Sequence, residues 1–411
     1  MDNDRFADSP VGHLVQIRGT DGRQQRAYEH VAFVATPLGA EPVLKPETWH
    51  SIGAAHRALA RLDAAARLIP NPGLLRRPTL SREAQSTSAL EGTFAPIEEV
   101  LAADLASDGD RSEDLSEVLN YLTAAEAAFA HVHAKRPLTA GFLESVHGLL
   151  VAGTKSETVD AGRVRTCQVA IGSANGAIEE SRFVPMPPGA DLEAALRDLT
   201  RWIGDGWVEP RDALVATAQA HYQFESIHPF NDGNGRIGRL LVVLQFMLDG
   251  LLSEPLISVS PWFEARRVEY QDRLADVSAR GDWDGWIQFF AQGIEASADD
   301  TAQRTSRLLA VQAKYVQHLQ SKRLTGVIRD IADVLVGSPV VTVPDLAARV
   351  EKTQQAVNTA LLRLVQEGLL DGPYGTYNRR FVARDVLNAV SAPMGRVPGP
   401  DEPLRGQRRS S

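Results

Sequence analysis

The chain runs to 411 residues, 44% of them hydrophobic, which is enough for two or three domains with a sizeable core. Its net charge of −9 and pI near 5.6 exclude a general polyanion binder, so any contact with nucleic acid has to be local. A single cysteine, Cys167, excludes an intrachain disulfide and a cysteine-cluster zinc site. The first residues, Met1-Asp2-Asn3-Asp4-Arg5, lack the apolar run of a signal peptide, and no window approaches a spanning length without charge. The expectation is a soluble cytoplasmic protein with no membrane partner.

In chain order, residues 1 to about 30 are polar and mixed, with a turn at Gly19-Thr20-Asp21-Gly22, and read as a loosely held arm. Residues 31–47 carry Pro37, Gly39, Pro42 and Pro46 and read as extended. A helix follows from Pro46 to Leu68, with Ile52, Ala55, Leu59, Leu62 and Ala66 on one face, and Pro70-Asn71-Pro72-Gly73 ends it. The next helix spans Leu80 to Leu90, with Gly92 as the left-handed residue after its end. Pro96 to Leu105, Leu115 to His131 and Thr139 to Val151 read as three more, with a break at Asp108-Gly109-Asp110. His147 shares an apolar face with Leu143, Val146 and Leu150 and reads as a core histidine. His131 and His133 do not share a helical face, so no histidine metal site is apparent.

The character changes over residues 153–189. Val164, Val169 and Ile171 interleave with polar residues, a turn follows at Gly172 to Gly176, and Phe183-Val184 lead into Pro185-Met186-Pro187-Pro188. This predicts a β-hairpin in an otherwise helical chain, with Cys167 as a small packing residue. Asp191 to Gly204 is another helix.

The stretch from His228 to Arg239 carries the chemistry: His228-Pro229-Phe230-Asn231-Asp232-Gly233-Asn234-Gly235-Arg236-Ile237-Gly238-Arg239. It lies between a helical run, Asp212 to Ile227, and an apolar run, Leu240 to Leu248. The amides at the start of the second helix form an anion site, and the glycines let a phosphate approach the backbone. Arg236 and Arg239 stand three apart and share a face suited to phosphate oxygens. Asp232 is a hard oxygen ligand fit for magnesium, and His228 is a candidate base for a hydroxyl. Phe230 is expected to point into the core.

These residues match without departure the pattern His-x-Phe-x-(Asp/Glu)-Gly-Asn-Gly-Arg-x-x-Arg, and the chain resembles Fic-domain proteins. Eight specified positions at about one in twenty each put a chance match in a chain this size on the order of 10⁻⁸. The resemblance implies a mostly α fold: a Fic-type helical core with a β-hairpin flap that pairs with a target segment. It implies a transferase moving AMP from ATP to a protein hydroxyl, with Mg2+ as cofactor. It assigns His228 as base and Asp232 to magnesium. Gly233, Asn234 and Gly235 go around the phosphates, with Arg236 and Arg239 on the outer ones. Thr87 to Gly92 resembles the family's inhibitory helix, (Ser/Thr)-x-x-x-Glu-(Gly/Asn), whose Glu91 would pair with Arg239. The target protein would dock on the flap over residues 164–187, and Tyr270 would lie near the adenine. A relative transferring phosphate would depart from the Gly-rich part, which is intact here. Removal of AMP supported by Glu91 stays open.

Ser260 to Arg280 and Trp283 to Ile294 are predicted helices, and residues 299–324 a charged connecting helix. Beyond it, Gly326 to Val336, Val343 to Val350 and Thr353 to Glu367 are three helices. Leu369-Leu370 and Arg380-Phe381-Val382 flank a hairpin tip at Gly372 to Thr376. This part resembles a winged helix-turn-helix. Gln354, Gln355, Asn358 and Thr359 would face a DNA groove, with Lys352, Arg379 and Arg380 on phosphates. Glu351, Glu367 and Asp371 dilute the basic face, so protein contact or homodimerisation is an equal reading of this module; a DNA-binding regulator with the Fic core as sensor is the alternative to the transferase, against which the intact His228 argues. The expected organisation is an N-terminal region at 1–110, a core at 111–298, the connector at 299–324, a winged helix at 325–390 and a disordered tail at 391–411.

Overall fold

The structure, a computed structural model, describes residues 1–20, 27–67, 73–103, 111–172, 178–204, 211–375 and 379–396. The expected turn at 19–22, helix end at 70–73, break at 108–110, flap tip at 172–176, wing tip reaching Thr376 and tail past 396 lie wholly or partly outside the described residues.

The elements begin with α1 (Asn3–Phe6), β1 (Gly12–Thr20), β2 (Ala27–Ala35), α2 (Pro46–Arg67), α3 (Gly73–Leu90) and α4 (Ile97–Leu101). Next come α5 (Glu113–His133), α6 (Ala140–Val151), α7 (Ala190–Gly204), α8 (Ala213–Ile227) and α9 (Asn234–Leu248). The chain goes on through α10 (Ser260–Ala265), α11 (Arg267–Arg280), α12 (Trp283–Ser321), α13 (Val327–Leu335) and β3 (Val340–Thr342). It closes with α14 (Val343–Arg349), α15 (Gln354–Gln366), β4 (Asp371–Tyr374), β5 (Arg380–Val382) and α16 (Arg384–Ser391). The fold is mostly helical with small antiparallel sheets. Among the described residues no helix is long and apolar enough to cross a membrane.

Contacts divide the chain into two units, the first formed by residues 1–59, 120–255 and 263–295. Its N-terminus corrects the expectation of a loose arm. β1 and β2 pair antiparallel over their whole length, from Gly12 opposite Ala35 to Thr20 opposite Ala27. Val31, Phe33 and Ala35 alternate along β2 and are buried, so the ribbon is part of the core. Phe6, Phe33 and Phe183 form a ring triangle with centroids 5.6–6.0 Å apart.

The flap is shorter than the expected hairpin. Among the described residues it has one antiparallel bridge, Ile171 to Phe183, with the Ile171 amide donating to the Phe183 carbonyl at 2.8 Å. Its outgoing limb leans on β2, where the Phe33 amide donates to the Val184 carbonyl at 2.8 Å. Pro185, Pro187 and Pro188 lack amide protons and cannot extend a ladder. In place of one predicted helix from Ser260, α10 and α11 are separated at Arg266.

The second unit comprises residues 60–119, 256–262 and 296–411. The predicted connecting helix is no separate element: α12 is a single helix of 39 residues, and no Gly or Pro interrupts it after Gly293. α3 starts earlier than expected and accommodates Pro78. In the C-terminal part α13, α14 and α15 accompany a three-stranded sheet in the order β3-β5-β4, of which the short β3 was not legible. Thr342 and Thr353 cap α14 and α15 with their hydroxyls.

α16, also unforeseen, is closed by buried charge. Arg304 donates from Nη1 to the carbonyls of Ala389 and Val390 at 2.8 and 3.0 Å, and from Nη2 to Ala392 at 2.7 Å. Its Nε meets the Asp300 carboxylate at 2.7 Å, and Arg82 from α3 donates to the Ala392 carbonyl at 3.0 Å. These groups satisfy carbonyls that a helix end leaves without partners. Breaking such a buried pair from one side leaves Asp300 and the carbonyls stranded, at about 3–5 kcal/mol. Arg304→Met is therefore expected to lower the melting temperature of the full chain and to bring early proteolytic cleavage within residues 384–396. Wild-type resistance in that variant would mean α16 is held by other contacts.

Candidate active site

The site is built at the junction of α8 and α9. α8 opens on Asp212, whose carboxylate accepts from the Leu214 and Val215 amides at 2.9 and 3.1 Å. It ends on His228, left-handed at φ 48° and ψ 66°, while its amide still donates to the Phe224 carbonyl at 3.0 Å. The His228 Nδ1 lies 3.2 Å from the Glu225 carbonyl. A carbonyl only accepts, so Nδ1 carries a proton, and in the neutral ring Nε2 is then the accepting nitrogen. The ring is half-buried.

The loop is locked from beneath. Phe230 points into the core and stacks on His147, with centroids 4.1 Å apart and planes 4° from parallel. Asn234, expected around the phosphates, turns its side chain inward. Its Oδ1 accepts from the Phe230 amide at 2.9 Å and its Nδ2 donates to the Phe230 carbonyl at 2.8 Å, so the amide shapes the loop. Gly233 sits at φ 76°, and a Cβ there would approach Leu150 Cδ2 to 2.8 Å. At Gly238 a Cβ would lie 2.5 Å from Glu225 Oε1 and 3.3 Å from the buried His221 ring, so a larger residue would make the Glu225 side chain move.

Asp232 presents a side chain 48% exposed. Ser156 Oγ donates to its Oδ2 at 2.5 Å, the Gly233 amide to its Oδ1 at 2.5 Å, and Arg236 Nη2 stands 3.5 Å from Oδ1. Partial burial opposes ionisation, but the Ser156 hydroxyl, the Arg236 guanidinium and the Gly233 amide outweigh it and hold the carboxyl below its usual range. Arg236 and Arg239 are both buried on the first turns of α9. Among the described residues no group of three or more His, Cys, Asp or Glu side chains is arranged to hold a metal. One ionised, half-exposed carboxylate fits a magnesium ion that takes most of its oxygens from phosphates and water.

Several supporting residues were not legible in the sequence. Asn231 donates to Thr158 Oγ1 at 3.0 Å and to Asp160 Oδ2 at 3.1 Å, and Thr166 donates to that same oxygen from its amide and its hydroxyl. Arg165, buried, donates to the carbonyls of His228, Cys167 and Met186. His221, wholly buried on α8, has Nδ1 3.0 Å from the Gly238 carbonyl and Nε2 2.7 Å from the Tyr270 hydroxyl. Tyr270, expected beside the adenine, is 5% exposed and belongs to an aromatic core with Phe263 and Trp286. Their signal, pairing across distant segments, has no local pattern.

Glu91 lies in the second unit, the other predicted site residues in the first. It is exposed at the end of α3. Gly92 takes the predicted left-handed conformation at φ 93°. The Thr93 amide donates to the Ser88 carbonyl at 3.0 Å and the Gly92 amide to Ala89 at 3.1 Å, which is a Schellman motif.

Two stretches of the chain match known families. Residues 49–130 match the Fic/DOC family N-terminal region, and residues 137–246 match the Fic/DOC family. The second match takes in α6, the loop and most of α9. Over 142 residues it is 35% identical to the protein adenylyltransferase fic-1 of Caenorhabditis elegans, covering 34% of this chain and 25% of that protein. Over 216 residues it is 26% identical to the protein adenylyltransferase Fic of Drosophila ananassae, covering 52% of this chain and 40% of that protein. The chain thus spans less than half the length of either relative. A Fic family protein from Desulfovibrio desulfuricans G20 shares the fold at 22% identity and a TM-score of 0.51, over 84% of this chain and 98% of that one.

The two buried histidines give the site a pH signature. Burial lowers His147 to about 4 and His221 to about 3. Unfolded, each takes a proton below about 6.5. The unfolded chain therefore binds more protons than the folded one, so this stability is fully present above about 6.5 and is lost as pH falls toward 4. His147→Gln is expected to lose less melting temperature between pH 7 and pH 5 than wild type. Equal losses would mean His147 is not neutral in the folded chain.

Proposed function

We propose that this chain transfers AMP from ATP to a Ser, Thr or Tyr hydroxyl of a target protein. The observation that carries the reading is His228, held with Nδ1 on the Glu225 carbonyl and its lone pair on Nε2, at the head of a loop that leads into the amides of α9. In this reading His228 Nε2 takes the hydroxyl proton while the hydroxyl oxygen attacks the α-phosphorus. The bond from that phosphorus to the oxygen bridging it to the β-phosphorus breaks. Its electron pair leaves with pyrophosphate, and AMP stays on the target oxygen. Amides at the start of α9, Gly233 and Gly235 line the phosphates, and Arg236 and Arg239 take the outer ones. Asp232 would hold magnesium, which when bound offsets phosphate charge. The flap's outgoing limb is tied to β2 at Val184, which supports the limb near Ile171 as the edge for a target strand.

The pattern ending in Glu91-Gly92 supports Glu91 as a brake acting on Arg239, so that ATP phosphates are misaligned at rest. A misplacement of about 1 Å costs roughly 10²-fold in rate. A second reading, a DNA-binding regulator, is favoured by α15, which exposes Gln354, Gln355 and Thr359 while Arg379 Nη2 donates to Asn358 at 3.3 Å. The C-terminal elements are then a winged helix-turn-helix.

ATP labelled at the α or the γ phosphate tests the reaction. Label from α is expected on protein, stronger by roughly 10² in Glu91→Gly. It should be lower by about 10²–10⁴ in His228→Ala and equally low in the double variant. Label from γ alone would mean phosphoryl transfer, and equal labelling of wild type and Glu91→Gly would remove the brake. For the second reading, a shift of duplex DNA by the full chain that weakens steeply with salt is expected. No shift at low salt would leave α15 as a protein-contact or homodimer surface.

A further inference from the structure

Arg165 joins three stretches of main chain. Its guanidinium is 1% exposed. Nε donates to the His228 carbonyl at 2.9 Å, Nη1 to the Cys167 carbonyl at 2.9 Å and Nη2 to the Met186 carbonyl at 2.5 Å. Its own amide donates to the Pro229 carbonyl at 2.9 Å. Cys167 opens the incoming limb of the flap, Met186 closes the outgoing limb, and His228 and Pro229 begin the loop. Burial draws the guanidinium down to about 10, so it stays charged at neutral pH.

We infer that Arg165 is a positioning residue that fixes the His228 backbone and both limbs of the flap in one geometry, so that base and acceptor hydroxyl meet in register. The inference rests on the transfer reaction proposed above. The chemistry of the side chain supports it. A guanidinium is planar and rigid, so three donors in one fork set the relative position of three carbonyls. An ammonium on a flexible stem can reach such carbonyls but does not fix their spacing. A buried cation facing carbonyl dipoles is also a costly filler, since apolar packing of similar volume is often more stable. The left-handed His228 benefits from such a hold, because fixing its carbonyl fixes ψ and with it how the loop leaves the residue that carries the imidazole. A clamp on its carbonyl alone would stabilise the loop. A clamp that also grips Cys167 and Met186 ties the loop to the surface that presents the substrate.

The test compares wild type, Arg165→Lys and Arg165→Met in the full chain, each also carrying Glu91→Gly. Hydrogen exchange is read first. Both variants are expected to lose protection together in peptides covering residues 165–171, 183–187 and 227–232, while α9 keeps its protection. Labelling from α-labelled ATP is read second. The rate at saturating ATP should fall by roughly 10² or more in the lysine variant. The ATP concentration giving half that rate should stay within about twofold. Protection lost only around residue 165, or across α8 and α9 alike, would overturn the clamp. So would a half-saturating ATP concentration that rises as the rate falls, since that describes a general loss of structure. If no chain takes label, including Glu91→Gly alone, the transfer reading fails, and the exchange pattern still decides whether one side chain holds the three segments.

Discussion

The site depends on holding one histidine in a backbone conformation that side chains with a Cβ seldom adopt. A left-handed residue of this kind costs on the order of 1–3 kcal/mol and persists only when its surroundings over-determine it. Here they do. The His228 amide completes the last turn of α8, its Nδ1 reaches the Glu225 carbonyl, and its carbonyl is taken by Arg165. Two residues on, Phe230 is gripped at both amide and carbonyl by Asn234, and its ring lies on His147. The same turn that strains the backbone places Nδ1 on a carbonyl, so backbone and ring are held by one arrangement.

Buried charge is handled in two different ways along the chain. In the second unit Arg304 is closed off: one carboxylate and three carbonyls use up its fork, and the outcome is a fixed helix end. Around the loop Arg165 faces carbonyls, and the carboxylate of Asp232 keeps nearly half its surface open. Ser156 and the Gly233 amide keep that carboxylate ionised and aimed. Arginine packed against a full set of partners is scaffold, whereas a half-open acid beside arginine and helix amides keeps charge that its own partners do not use up.

Much of this was legible in the sequence, and what was missed follows one rule. Helices with a period and a punctuating residue were readable: Thr139 ahead of α6, Asp212 ahead of α8 and Gly92 after α3 all mark ends that the structure repeats. The loop was readable because its chemistry is contiguous, from His228 to Arg239. Contacts between distant segments were not. β1 and the start of β2 looked like a polar arm, and the rest of β2 like an extended stretch, because their burial comes from Phe6 and Phe183, far apart in sequence. Arg165, Ser156 and Asp160 carried no motif, since their partners lie 60 or more residues away in the case of His228 and Asn231. Asn234 and Tyr270 show the converse. Their identities were plain, yet the structure turns one toward the loop backbone and the other toward His221.

The bond from the Phe33 amide to the Val184 carbonyl has a consequence for how this chain can be divided. The stretch recognisable as Fic/DOC begins at residue 49, or at 137 for the Fic domain proper. Phe33 precedes both. A fragment cut at either point would carry every residue of the loop and still lose the strand on which the flap's outgoing limb rests, together with the ring that fills the space between Phe6 and Phe183. What is inherited as a recognisable block and what folds as a block have different edges here. The smallest piece able to hold the flap's outgoing limb in place begins at least as early as β2.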